Sequence, residues 1–135
     1  MTIQEFFQRD QFAKQAGVTL LQVGNGYAKA CMEVKPSHLN GGGVCQGGAL
    51  FTLADLAFAA ATNSHAQLTF SIESSIHFFR SVTKGMLYAE AHELFNHKRL
   101  ANCEVRITTE SGELIATFNA TGYRKEKPLP FDPIE

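Results

Sequence analysis

Asp55 is the only charged residue between positions 49 and 64, a stretch otherwise made of Ala, Leu, Phe, Thr, Asn and Ser. On a helix its neighbours at three and four residues are Phe51, Thr52, Phe58 and Ala59. A carboxylate in such surroundings is destabilising by several kcal/mol unless it gains a partner, a raised pKa or water access. Backbone amides or the Thr52 hydroxyl would satisfy it structurally. Water access would make it a general base or a nucleophile. Gly47-Gly48 sits where that helix begins, so free amides and the positive end of the helix dipole point outward there. Glycine lets a carbonyl oxygen come close to the backbone, which is the material of an oxyanion hole. Gly41-Gly42-Gly43 is no P-loop, because the Lys-Ser/Thr ending is missing. Cys45, near the helix start, has no histidine at a recognisable partner spacing. His38, His65, His77, His92 and His97 form no HxxxH or HExxH pattern, so no metal is expected.

The elements that must hold these residues are legible from periodicity. Thr2 and Glu5 have capping-box spacing before Phe6 and Phe7, and Asp10 can cap a second short turn ending at Gly17. Residues 18–23 form a short apolar run. Asn25-Gly26 is a hairpin signal in which both turn positions favour positive φ. Residues 28–34 alternate as a half-buried strand, which Pro36 ends. Residues 37–48 are a glycine-rich loop. Residues 49–64 are a helix with no polar face, and such a helix must be buried on every side. Strands are expected at 68–80, 86–95, 100–109 and 113–124, joined by hairpins into an antiparallel sheet. A strongly curved sheet wrapped around the helix buries all of its sides. This gives one α+β domain over residues 1–125. A proline-rich tail over 126–135 is expected to have little structure of its own.

Bulk properties narrow the function. Twelve basic residues balance 13 acidic ones for a net charge of −1, which gives no basic field for nucleic acid or an anionic membrane. No apolar run is long enough to span a bilayer. The N-terminus lacks the pattern of a signal peptide. Cys31, Cys45 and Cys103 lack zinc or CxxC spacing, and reduced thiols in a cytoplasm are expected.

The stretch Leu39-Asn40-Gly41-Gly42-Gly43-Val44-Cys45-Gln46-Gly47-Gly48-Ala49-Leu50-Phe51-Thr52-Leu53-Ala54-Asp55, with Ala57-Phe58-Ala59 and Asn63-Ser64 after it, resembles the hotdog-fold thioesterases of the phenylacetate-pathway (PaaI-like) type, within the 4-hydroxybenzoyl-CoA thioesterase superfamily. The resemblance runs from about Phe12 to Tyr123. It implies a hotdog fold and hydrolysis of an aryl- or short-to-medium-chain acyl-CoA. Asp55 matches the family's nucleophile or general base, and Gly47 the glycine whose amide polarises the thioester carbonyl, with Gly48 beside it. Asn40 matches an asparagine that helps place the water or carbonyl, and Ser71 a hydroxyl at the site. The family assembles its site across a homodimer interface, often with dimers paired into a homotetramer. Coenzyme A is part of the substrate, so no separate cofactor is implied.

One position departs from the pattern. Gln46 stands where the family usually has histidine, and glutamine cannot relay a proton near neutral pH. Its amide can still donate to a carbonyl or hold the loop. Gln46 therefore also motivates a second expectation, a non-catalytic or weakly active module that binds acyl-CoA or an acyl carrier. A hydratase or dehydratase on the same fold is disfavoured by the missing histidine, and a purely structural oligomer leaves Asp55 without a purpose. For the phosphates of CoA, Arg80, Lys84, Lys98, Arg99, Arg124 and Lys125 lie at expected strand ends and turns. Phe51, Phe58, Phe78 and Phe79 are candidates for an acyl pocket.

Overall fold

A computed structural model describes all residues from 1 to 135. The chain opens with two five-residue helices, α1 (Ile3–Phe7) and α2 (Gln11–Gln15). Thr2 Oγ1 accepts from the Glu5 amide at 3.1 Å and Glu5 Oε1 from the Thr2 amide at 3.2 Å, closing the expected capping box. Asp10 caps α2 by accepting from the Ala13 amide at 3.0 Å. Gly17 then turns the chain at φ +79°.

Six strands follow around one long helix: β1 (Val18–Gly24), β2 (Tyr27–Val34), α3 (Gly47–Thr62), β3 (Gln67–Phe78), β4 (Gly85–Asn96), β5 (Leu100–Thr109) and β6 (Leu114–Pro128). All pairings are antiparallel, in the order β1-β2-β4-β5-β6-β3. This is the hotdog arrangement expected from the sequence. The sheet can close on α3 because its inner face is floored by alanine. Ala28, Ala30, Ala89, Ala91, Ala116 and Ala120 are all fully buried, and Leu50, Leu53, Leu56 and Phe58 of the helix fill the space above them. Small residues on one surface against large ones on the other give dense packing at short separation.

Three expectations need correction. The β1–β2 turn has positive φ only at Gly26 (+65°), not at both positions. There the Asn25 side chain donates to the Ile134 carbonyl at 3.0 Å and the Gly26 amide to Ser64 Oγ at 2.9 Å, so tertiary bonds shape the turn. A Cβ at Gly26 would also lie 2.9 Å from Glu93 Oε1. Second, α3 begins at Gly47, with Gln46 as its cap, so the two glycines are its first turn rather than the end of the loop. Glycine's low propensity matters little where amides have no intrahelical partner. Third, the tail is structured. Strand β6 continues to Pro128, which pairs with Gln67. Beyond it Leu129 donates to the Ala66 carbonyl and Ile134 to that of Ser64, both at 2.8 Å, and Phe131 packs on Phe6 at 5.8 Å. Pro128 sits at the strand's last position, where a missing N–H does little harm.

Two polar staples fix the ends of α3. Before it, the Lys35 amide donates to His38 Nδ1 at 2.9 Å, so His38 Nε2 carries the proton and donates to the Ala16 carbonyl at 2.6 Å. The His38 carbonyl accepts from the Gln46 amide at 2.8 Å. After the helix, the buried Arg124 (3% exposed) donates to the Thr62 carbonyl at 2.8 Å, Thr69 Oγ1 at 3.0 Å, the His97 carbonyl at 3.2 Å, Glu93 Oε2 at 3.4 Å and Asn96. His65 holds the other Glu93 oxygen at 2.9 Å. Arg124 is therefore a structural cation capping the C-terminus of α3, which corrects its reading as a phosphate contact. Truncating one member of a buried ion pair leaves the other uncompensated. Arg124→Leu is expected to lower unfolding free energy by about 3–5 kcal/mol in urea denaturation. A loss below about 1 kcal/mol would place Arg124 outside the core's ionic balance.

Candidate active site

Asp55 lies mid-helix on α3, half-buried, at one wall of a cavity of about 240 Å³. The rest of that cavity comes from α1 and the α1–α2 junction (Phe6, Phe7, Asp10), from Phe58 on α3 and from the start of β3, where Phe70 and Ser71 stand. Ser71 and Asp55 thus line the same cavity. Thr52 is not Asp55's partner, because its hydroxyl donates to the Gly48 carbonyl at 2.9 Å. Burial pushes the Asp55 carboxyl above its ordinary range and the charge of Asp10 pushes it further; no hydrogen bond opposes them. A half-buried carboxylate with raised proton affinity and an open cavity is suited to general-base work near neutral pH.

Gly47 and Gly48 are the first two residues of α3, and their amides have no carbonyl one turn back to pair with. Gly47 faces a separate recess of about 300 Å³ with Cys45, Leu50, Phe78 and Arg80. The Phe78 ring lies over it, so a Cβ there would come 2.8 Å from Phe78 Cζ. Gln46 is exposed, and its carboxamide oxygen folds toward Gly48. Both line a third recess, of about 380 Å³, with Phe12, His38 and Thr52.

These groups do not meet within one chain. Asp55 is eight residues beyond Gly47, which at the helical rise is about 12 Å along the axis. A single thioester carbon needs both groups within about 3 Å.

The other expected residues sort by location. Asn40 is exposed, and its Oδ1 accepts from the Gly42 amide at 2.9 Å and the Val44 amide at 3.3 Å, so it shapes the glycine loop. Arg80 lies beside the Gly47 recess and 4.0 Å from Glu113, while Lys84 is exposed in the β3–β4 loop. Lys98 and Arg99 cluster with Lys125 at the β4–β5 hairpin tip, where Arg99 donates to Tyr123 Oη at 3.2 Å. Cys45 is buried and burial pushes its thiol up, which makes it a poor nucleophile. No three His, Cys, Asp or Glu side chains converge as a metal site. Phe6, Phe7 and Asp10 belong to the Asp55 cavity although the sequence showed only their helix spacing. Nothing in that spacing says which side of α3 the N-terminal helices cover.

The description "thioesterase superfamily" fits residues 42–116 of this chain. A protein of Archaeoglobus fulgidus described as a candidate esterase is 38% identical over 92% of this chain and 81% of its own length. The acyl-coenzyme A thioesterase PaaI of Escherichia coli is 31% identical over 87% of this chain and 85% of its own. The solved structure of the E. coli PaaI protein superposes with a TM-score of 0.88 at 28% identity, covering 93% of this chain and 91% of that one. A hotdog fold, a matching profile over more than half the chain and these relatives agree: the chain belongs to the thioesterase superfamily, hydrolases of thioester bonds.

Proposed function

We propose that the protein hydrolyses an aryl- or short-to-medium-chain acyl-CoA at a site shared by two copies of the chain. The observation that carries this reading is the separation of Asp55 from the Gly47 amide along one helix. Strand β3 supplies the means of joining them. It is twelve residues long, stands at the sheet edge, and exposes Phe70 (54%), Ile72 (63%) and Phe78 (52%). An edge of this length with apolar side chains is a template for a second strand. The start of β3 lines the Asp55 cavity and its end covers Gly47. Antiparallel pairing of two β3 edges sets the start of one against the end of the other. That arrangement carries the partner subunit's Gly47 toward Asp55.

The chemistry then follows. Asp55 takes a proton from water as the water oxygen bonds to the thioester carbon. The negative charge passes to the carbonyl oxygen, held by the partner subunit's Gly47 amide. Collapse breaks the carbon–sulfur bond, and the thiolate leaves with the proton from Asp55. Direct attack by Asp55, forming an anhydride that water opens, uses the same groups. Phe6, Phe7, Phe58 and Phe70 give the acyl group an aromatic surround. Arg80 and Lys84 at one end of β3, and Lys98 and Arg99 at the other, are the cations offered to the CoA phosphates. Asn40 serves by holding the loop that carries Gln46. Gln46 supports one second reading, a binding module. Tight acyl-CoA binding without thiol release, with hydrolysis gained in Gln46→His, would favour it.

Asp55→Asn is expected to reduce kcat/KM by about 10²–10⁴, followed by thiol release from acyl-CoA. Near-normal turnover by this variant would end the assignment. The same variant is expected to melt higher at neutral pH. A carboxyl whose folded pKa is raised disfavours the fold once pH exceeds its unfolded value. The gain from Asn therefore fades as pH falls through the unfolded carboxylate range.

Gly47→Pro removes the amide donor and suits a first helical position, with Gln46 already at the φ −64°, ψ 142° that a residue before proline needs, while its Cβ requires the exposed Phe78 ring to swing aside. It is expected to lower kcat by about 10²–10³. Mixing it equally with Asp55→Asn should restore about a quarter of wild-type turnover, since half the dimers are mixed and each has one intact site. No recovery after verified subunit exchange would refute the shared site.

A further inference from the structure

We infer that Asp10 is a second carboxylate of the site, an exposed positioning residue that lines the Asp55 cavity from the N-terminal helices and acts on Asp55 through its charge. The inference rests on the reading of Asp55 as the base. Its first support is placement. Asp10 stands at the junction of α1 and α2, and it and Asp55 are the two ionisable groups lining the 240 Å³ cavity. Its second is hydrogen bonding. Oδ1 accepts from the Ala13 amide at 3.0 Å, which fixes the carboxylate's direction and leaves Oδ2 without a protein donor. Its third is the lack of any compensating cation in the walls. The remaining lining is apolar or neutral, including Asn63 on the segment after α3 and Thr69 and Ser71 on β3.

Other charged groups near these elements have different engagements. Arg9 lies over the Phe6 ring at 5.6 Å. Lys14 lines the adjoining groove on the other side of Asp10 and makes no ion pair with it. On the sheet, Glu93, Cys103 and Arg124 face inward, but Glu93 bonds to both Arg124 and His65 at the C-terminal end of α3. Among all of these, Asp10 is the charge that acts on Asp55, in the direction that favours the protonated form. A base with raised proton affinity is stronger when ionised and is lost earlier as pH falls, so Asp10 should strengthen the base and narrow the pH range of activity.

Asn caps a helix about as well as Asp, so Asp10→Asn removes the charge and keeps the bond to Ala13. The primary readout is the Asp55 side-chain carboxyl titration by ¹³C NMR, in wild type and in Asp10→Asn. The inference predicts a midpoint at lower pH in the variant, with a melting temperature at neutral pH no lower than that of wild type. An unmoved midpoint would overturn it and leave Asp10 as a helix cap only. The acid limb of the kcat/KM profile should move the same way, with plateau kcat lowered by less than about tenfold, as expected for a weaker base. The two readings fail separately. Wild-type protein that releases no thiol from acyl-CoA refutes the proposed hydrolysis, while the NMR midpoints still decide the Asp10–Asp55 coupling.

Discussion

A sixteen-residue helix almost without a polar face, seated on a floor of alanine side chains, is the constraint on which the rest of this molecule depends. Such a helix is stable only if protein covers it, and its close approach to the sheet requires that the strands beneath it carry no bulk. Inward-facing alanines on β2, β4 and β6 meet that requirement. Larger residues at these positions would push the helix away and open the core, and overpacking of this kind costs about 1–3 kcal/mol per site. The same seating decides where chemistry can occur. A helix covered on nearly every side has two places left for a reactive group: its N-terminus, where unpaired amides emerge, and the narrow strip that the sheet does not reach.

Gly47 occupies the first place and Asp55 the second. Asp55 shares its strip with Gly48, Thr52 and Ala59, which the helical repeat places on the same face and which are exposed or partly so in the chain. The N-terminal helices close part of that strip, with Phe6 and Phe7 making the cavity apolar and Asp10 adding a charge of the same sign. Each influence on Asp55 disfavours its ionised form, and no hydrogen bond compensates. A residue placed for stability would be surrounded differently, as Arg124 is. That equally improbable buried charge is met by carbonyl, hydroxyl, amide and carboxylate acceptors. The contrast separates a charge the fold satisfies from one it leaves available.

Most of the architecture was legible because periodicity reports local burial. The β5 limits coincide with the alternating run 100–109, and the Thr2 and Asp10 caps form as their spacing implied. What escaped was set by partners distant in sequence. The tail after residue 125 has the composition of a loose end, yet β3 and the segment after α3 hold its backbone. The Asn25-Gly26 turn has the right residues but a conformation decided by Ser64 and Ile134. Arg124 was readable in principle. It continues the inward series Ala116, Phe118, Ala120, Gly122 of β6, as Glu93 continues Leu87, Ala89, Ala91 of β4. Following side-chain parity to the strand ends would have paired these two charges in the interior. For the candidate site, Asp55 and Gly47 lay in the motif and Ser71 came from the resemblance alone, while nothing in the sequence tied Phe6, Phe7 and Asp10 to the Asp55 cavity, since a cap and an apolar spacing look the same wherever the helix packs.

The length of α3 also bears on how the machinery is divided. A shorter helix would bring its amide terminus nearer a carboxylate on the same chain, but it could not span the sheet it supports, since all six strands contact it. With the helix this long, the carboxylate cannot move to the N-terminal turn without leaving the apolar cavity that raises its proton affinity. The proposed base, Asp55, and the proposed oxyanion donor, the Gly47 amide, therefore sit at different depths along one rod. In the proposed dimer a second copy reversed beside the first compensates for that offset, because twofold symmetry exchanges the two ends of β3 and with them the two halves of the proposed chemistry. On the proposed pairing the exposed Phe70, Ile72 and Phe78 of β3 follow from the buried face of α3, since a helix enclosed for stability would leave its reaction to be completed at the sheet edge.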